Sequence, residues 1–193
     1  GYLVTPHVVD KITDTNGKPI RGVVVSDGTT SVATNTYGIY QIKRNPEAKF
    51  VYYSTPWDYE IEVAEDCSAA KFYAEIPENA GVHRQDFCLR KRTGNASDFT
   101  VIGIADPQVK VPVDNERFST ETVPTLKSTV SKQTKPCIIL TMGDMVEDNL
   151  DYMAATRLNL GSTGVPVFSV VGNHDKMRYA SDPTRPRNTN DHS

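Results

Sequence analysis

A chain of 193 residues, 38% hydrophobic and 23% charged, has the composition of a folded protein able to bury one or two cores. A formal net charge of −3 without long Lys/Arg blocks argues against a partner held by phosphate neutralisation, so no nucleic-acid groove is expected. No apolar run approaches the ~18 residues of a membrane span, so no transmembrane segment is expected.

From residue 8 to about 89 the pattern is one of short strands separated by turn chemistry. Asp14-Thr15-Asn16-Gly17 is a turn, followed by a strand at 20–25, a turn at Asp27-Gly28 and a strand at 32–34. Tyr37-Gly38 turns into a strand at 39–42, and further strands follow at 49–54, 72–76 and 86–89. Strands at this spacing, without helical periodicity, predict an all-β sandwich over residues 1–92. Asp14 and Asn16 mimic the start of a calcium loop, but the later ligand positions and the distal Glu are missing, so a plain turn is expected. Tyr52, Tyr53, Trp57 and Tyr59 are read as sandwich packing rather than a sugar-stacking platform, and His7 and His83 as solvent-facing or turn residues. Cys67, Cys88 and Cys137 lack the spacing of a zinc ribbon or redox pair; Cys137 reads as a small buried hydrophobe, and Cys67 and Cys88 are left either paired or free. Asn95-Ala96-Ser97 matches a glycosylation sequon at the level of tripeptide chance.

Residues 93–98 break the apolar pattern as a linker, and a second domain is expected over 99–193. Strands at 99–104, 137–140 and 167–171 alternate with two helices. The first helix has Pro124 in its first turn with Leu126 and Val130 facing inward, and the second spans about 150–160 with Gly161 as its stop. Strand, helix, strand, helix, strand implies a parallel α/β sheet. Each strand runs into ligand-type residues: Asp106-Pro107-Gln108, Gly143-Asp144, and Gly172-Asn173-His174-Asp175. Open α/β sheets place their chemistry at such strand ends.

The order Asp106/Gln108, Gly143-Asp144, Gly172-Asn173-His174-Asp175 resembles the motif series of the calcineurin-like metallophosphoesterases. Gln108 departs from it, because the family's first motif ordinarily carries histidine there. The run from Gly17 to Gly28, with Thr34 to Tyr40, resembles the carboxypeptidase-regulatory or transthyretin-like sandwiches. The second resemblance implies an accessory module on an exported bacterial protein, periplasmic or cell-surface.

The first resemblance implies a two-metal phosphoesterase fold, of which this chain would hold only the β-α-β-α-β first part. Asp106 and Gln108 would bind one divalent ion, Asp144 would bridge both, Asn173 would ligate the second, and His174 would protonate the leaving group. A carboxamide at position 108 tilts the site toward Mn²⁺, Mg²⁺ or Fe²⁺ over Zn²⁺. Alone, Asp144 would read as a cap or turn residue and His174 as a surface or core histidine; three strand ends in the right order outweigh those readings. Asp148, Asn149 and Asp175 are read as capping or supporting residues behind the ligands. The substrate would be a phosphoester: a small molecule, nucleotide or lipid.

The family's later motifs add histidines, but only His192, in the loop-like ending 183–193, follows His174 here. The expectation is therefore a truncated, catalytically silent fragment. Either the remainder of its catalytic domain or a neighbouring copy should pack beside strand 167–171. The rival reading is a non-catalytic extracytoplasmic binding protein with a glycan- or partner-binding sandwich and a degenerate phosphoesterase scaffold.

Overall fold

Alternation builds the first half. In Ile39-Tyr40-Gln41-Ile42-Lys43 only Tyr40 and Ile42 are buried, so one face of the strand enters a core and the other meets water. The computed structural model describes residues 7–78, 81–94 and 97–176. These divide into two compact units: one of the residues up to Glu62 with Lys71–Ser97, the other of Val63–Ala70 with the residues from Asp98 onward.

The first unit holds β1 (His7–Asp14), β2 (Val24–Ser26), β3 (Ser31–Ala33), β4 (Ile39–Lys43), β5 (Phe50–Tyr53), β6 (Tyr73–Glu75), β7 (Val82–Arg84) and β8 (Phe87–Leu89). One sheet is ordered β4-β1-β7, with β8 also pairing β1, and the other β3-β2-β5-β6. Val8, Ile12, Tyr40, Ile42, Phe87 and Leu89 of the first sheet share a core with Val25, Val51 and Tyr53 of the second. The Tyr53 and Phe87 rings meet at 4.8 Å between centroids.

Strands β1 and β7 are absent from the sequence reading. The two fully buried residues of β1, Val8 and Ile12, are four apart with Asp10 and Lys11 between them, which mimics a helical period. His83, expected at a turn or in solvent, lies in β7 opposite Val8, with its Nε2 buried and without a hydrogen-bond partner. Burial, with the nearby Arg44 guanidinium, holds its pKa below the ordinary histidine value. The aromatic cluster divides: Tyr53 is core, Tyr59 packs against the core, Tyr52 is half-buried and Trp57 is 76% exposed. Asp14 spends its carboxylate on the backbone N–H groups of Asn16 and Lys18, both at 2.9 Å. All three cysteines are free thiols.

In the second unit β9 (Thr100–Ile104), β10 (Cys137–Met142) and β11 (Val167–Val170) form a parallel sheet ordered β11-β10-β9. Ile139 stands opposite both Ile102 and Val167, which puts these side chains on one face. That face, with Ile104, packs against Phe118, Val123, Leu126 and Leu160 from the crossovers. The opposite face carries Val101, Met142 and Val170, of which Met142 and Val170 are 55% and 54% exposed.

The first crossover is longer than the sequence suggests. It begins with α1 (Pro112–Arg117), passes through a π-helical stretch at Phe118–Thr122 and continues as α2 (Val123–Ser131). Pro124 does lie in the first turn of α2. Because proline cannot donate to the preceding turn, the helix widens just before it, and the Val123 N–H reaches back to the Phe118 carbonyl. The second crossover is a 3₁₀ turn at Leu150–Tyr152 leading into α3 (Met153–Gly161).

The edge of β11 departs from expectation. Residues 63–70 fall within the span read as sandwich, yet they belong to the second unit, and Ala69 pairs in parallel with Val167. Thus this chain's own Ser68–Ala70 lines β11 at Val167. His192 with the ending 183–193, and Asn95 and Ala96 of the sequon, lie outside the described residues.

Candidate active site

The loops leaving β9 and β10 remain paired beyond the strands. The Gln108 N–H donates to the Asp144 carbonyl at 2.9 Å and the Val109 N–H to the Met145 carbonyl at 3.2 Å; the Glu147 N–H returns to the Val109 carbonyl at 3.2 Å. This short parallel ladder, centred on Val109 and Val146, fixes the two acidic strand ends against each other. At its rim Lys110 Nζ and Glu147 Oε1 form an ion pair at 2.8 Å.

The backbone there is unusual. Asp106, Gln108, Asp144 and Asp148 adopt φ of 49°, 49°, 48° and 54°. Aspartate tolerates this left-handed region because its short carboxylate bonds locally, but glutamine lacks that advantage. Such conformations cost ~1–3 kcal/mol each and persist only where surroundings impose them, commonly at functional sites.

The third loop is tied to the second by two carboxylates. Asp144 Oδ1 accepts the His174 N–H at 2.8 Å. Asp175, only 5% exposed, accepts the Val146 N–H at 3.0 Å with one oxygen and the Gly172 N–H at 2.9 Å with the other. Two glycines make the approach possible. A Cβ on Gly143, whose φ is +92°, would stand 2.9 Å from the Gly172 Cα, and a Cβ on Gly172 would overlap the amide and carboxylate of Asp144.

His174 is oriented from its other side. Its Nδ1 lies 3.1 Å from Asp148 Oδ1, and its carbonyl accepts the Asp148 N–H at 3.2 Å. With Nδ1–H given to Asp148, Nε2 is the nitrogen left to face a reacting group. Of the two roles read for Asp148, capping or supporting, this contact is the supporting one. Asn149 does cap: its Oδ1 accepts the Asp151 N–H at 3.3 Å, and its Nδ2 donates to the Lys110 carbonyl at 3.0 Å.

Of the sequence-predicted residues, Gln108, Asp144 and His174 are joined by direct hydrogen bonds, while Asp106 and Asn173 are carried in the same loops. Among the described residues no group of three or more His, Cys, Asp or Glu side chains stands at metal-holding spacing. The donor set is two carboxylates and two carboxamides. These are oxygen donors, the type that hard divalent ions take.

A family model described as the N terminal of calcineurin-like phosphoesterase matches residues 6–92 of this chain. The match spans the sandwich and residues 63–70, and ends before the loops carrying Asp106, Asp144 and His174. No curated protein matches the chain.

Proposed function

We propose that the protein is a metal-dependent hydrolase of phosphate mono- or diesters, with its reaction centre at the C-terminal ends of β9, β10 and β11. The carrying observation is the left-handed backbone of Asp106, Gln108 and Asp144 at the ends of two adjacent parallel strands. Independent support comes from the other end of the chain, where residues 6–92 are similar to the N-terminal region of calcineurin-like phosphoesterases.

In this reading Asp106, Gln108, Asp144 and Asn173 would hold one or two divalent ions, Mn²⁺, Mg²⁺ or Fe²⁺ by donor type. Bound there, such ions supply Lewis acidity and a hydroxide at neutral pH. Asp144 keeps its carboxylate directed by accepting the His174 N–H, and Gly172 leaves room for that carboxylate. His174, with its ring set by Asp148, delivers a proton from Nε2 to the departing ester oxygen. We place the protein outside the bacterial cytoplasm, on the sandwich resemblance alone.

The rival, a non-catalytic binding protein on a degenerate scaffold, is favoured by one observation: the described residues gather no three His, Cys, Asp or Glu side chains for a metal. Manganese titration followed by electron paramagnetic resonance separates the two, together with turnover of aryl phosphate mono- and diesters. The hydrolase reading expects Mn²⁺ uptake by this chain that collapses in Asp144→Asn, and turnover, once the remaining ligands of the centre are supplied, that stops with a chelator. No uptake and no turnover with Mn²⁺, Mg²⁺, Fe²⁺ or Zn²⁺ would overturn it.

A further inference from the structure

Residues 63–70 sit in sequence between β5 and β6 of the first unit, yet they belong to the second. Their backbone meets the outer edge of β11 as a strand would. The Val167 N–H donates to the Ser68 carbonyl at 2.7 Å, and the Ala70 N–H donates to the Val167 carbonyl at 2.8 Å. Both polar backbone groups of Val167 on that edge are thereby satisfied. An exposed parallel edge left with unpaired N–H and C=O groups is open to slippage and to pairing with another chain.

The segment is also fixed from the side. Ser68 Oγ donates to the Gly161 carbonyl at 2.9 Å, and Arg157 Nη2 reaches Cys67 Sγ at 3.6 Å. The fit against the end of α3 is close: a Cβ on Gly161 would lie 2.8 Å from Cys67 Cβ, 2.9 Å from Cys67 Cα and 2.9 Å from Ser68 N. Two of those three atoms are backbone, so they cannot swing aside. Cys67 is buried, as is Val167 opposite.

We propose that Val63–Ala70 is a built-in edge strap of the second unit. It covers the outer edge of β11 at Val167 and thereby holds the start of the strand that delivers Gly172–Asp175. The stretch that reads as part of an accessory sandwich then supplies a structural element of the α/β unit, and the two units cannot be separated by one cut in the 93–98 region. The proposal stands apart from the hydrolase reading, because it concerns which chain segment closes the sheet whatever the site does.

Gly161→Ala in the full chain gives a test by sign. Alanine ordinarily stabilises a helix relative to glycine, and Gly161 has no positive φ to oppose it. If the strap is seated as described, the added methyl must push it off. Native-state hydrogen exchange at Val167 and Ala70 should then accelerate by roughly tenfold or more, Glu-specific protease should cut at Glu65, and the melting temperature should fall. Ser68→Ala, which removes a single hydrogen bond and leaves the fold intact, should raise the same two exchange rates by roughly three- to tenfold. A Gly161→Ala protein that melts higher, with Val167 and Ala70 as protected as in the parent, overturns the proposal. So does an unchanged exchange pattern in Ser68→Ala should Gly161→Ala fail to fold.

Discussion

Gly172 illustrates how narrowly one residue can be determined. It has an ordinary backbone conformation, so glycine's conformational freedom is not what the position needs; it needs the absence of a Cβ beside the Asp144 carboxylate. Gly172→Ala is expected to displace Asp144 and to weaken Mn²⁺ uptake nearly as much as Asp144→Asn, as read by calorimetric titration of both variants. Asp175 is a different case, since its two oxygens serve two backbone N–H groups at an almost solvent-free position. Asp175→Ala strands both donors and should cost about 3 kcal/mol in urea unfolding. His174→Ala should lower turnover ~10²–10⁴-fold for a poor alkyl leaving group and far less for a nitrophenolate, because only the former needs a proton. Equal losses on the two substrates would remove His174 from the acid role. The Thr141 hydroxyl on β10 is fully buried without a partner. Thr141→Val should therefore raise stability by about 1 kcal/mol, an increase visible as a higher melting temperature.

At the scale of elements, the β2–β3 hairpin is fixed by one carboxylate. Asp27 Oδ1 accepts the Thr29 N–H at 3.0 Å, the Thr29 hydroxyl at 2.9 Å and the Thr30 N–H at 2.8 Å, while Oδ2 accepts the Asn45 N–H at 3.3 Å. Burial alone would push its pKa up, but these donors together hold it below the ordinary value of 3.8. A carboxyl with a depressed folded-state pKa contributes stability that is fully present above its unfolded pKa and is lost as pH falls through the lower folded value. The melting temperature of the parent should therefore exceed that of Asp27→Asn at pH 6, and the gap should close as the pH drops below about 4. A gap independent of pH would mean the charge is irrelevant to the hairpin. The helix around Pro124 shows the complementary lesson. Proline at the start of α2 was readable from sequence, whereas the π-helical stretch that carries the chain into it from α1 follows from how the missing N–H is accommodated.

For the whole molecule, the parallel sheet of the second unit is covered on one face by the crossover helices, while Val101, Met142 and Val170 lie open on the other. Parallel sheets ordinarily bury both faces. With these side chains in water, Met142→Lys and Val170→Lys should each change unfolding free energy by no more than about 0.5 kcal/mol. A loss of several kcal/mol, or a concentration-dependent melting temperature abolished by either change, would show the face is buried in solution. The order of strands and helices in this unit was legible because each strand is an apolar run bounded by turn residues. In the first unit β1 was not, because it presents only Val8 and Ile12 to the core, with charges between them.

The sequence by itself determined the local chemistry: strands where apolar residues alternate or run together, the proline at the helix start, and three strand ends carrying Asp106 and Gln108, Asp144, and Asn173 with His174. Those features depend on neighbours within a few positions, so they can be read along the chain. Only the tertiary structure decided that Asp148 faces the His174 ring, that Asp175 bridges two loops, that Gly172 is reserved by Asp144, and that residues 63–70 line β11. Each of these rests on a contact between residues 26 or more positions apart or on a steric limit imposed by one. No local pattern encodes such a contact, because its energy appears only when the strands have already been brought side by side.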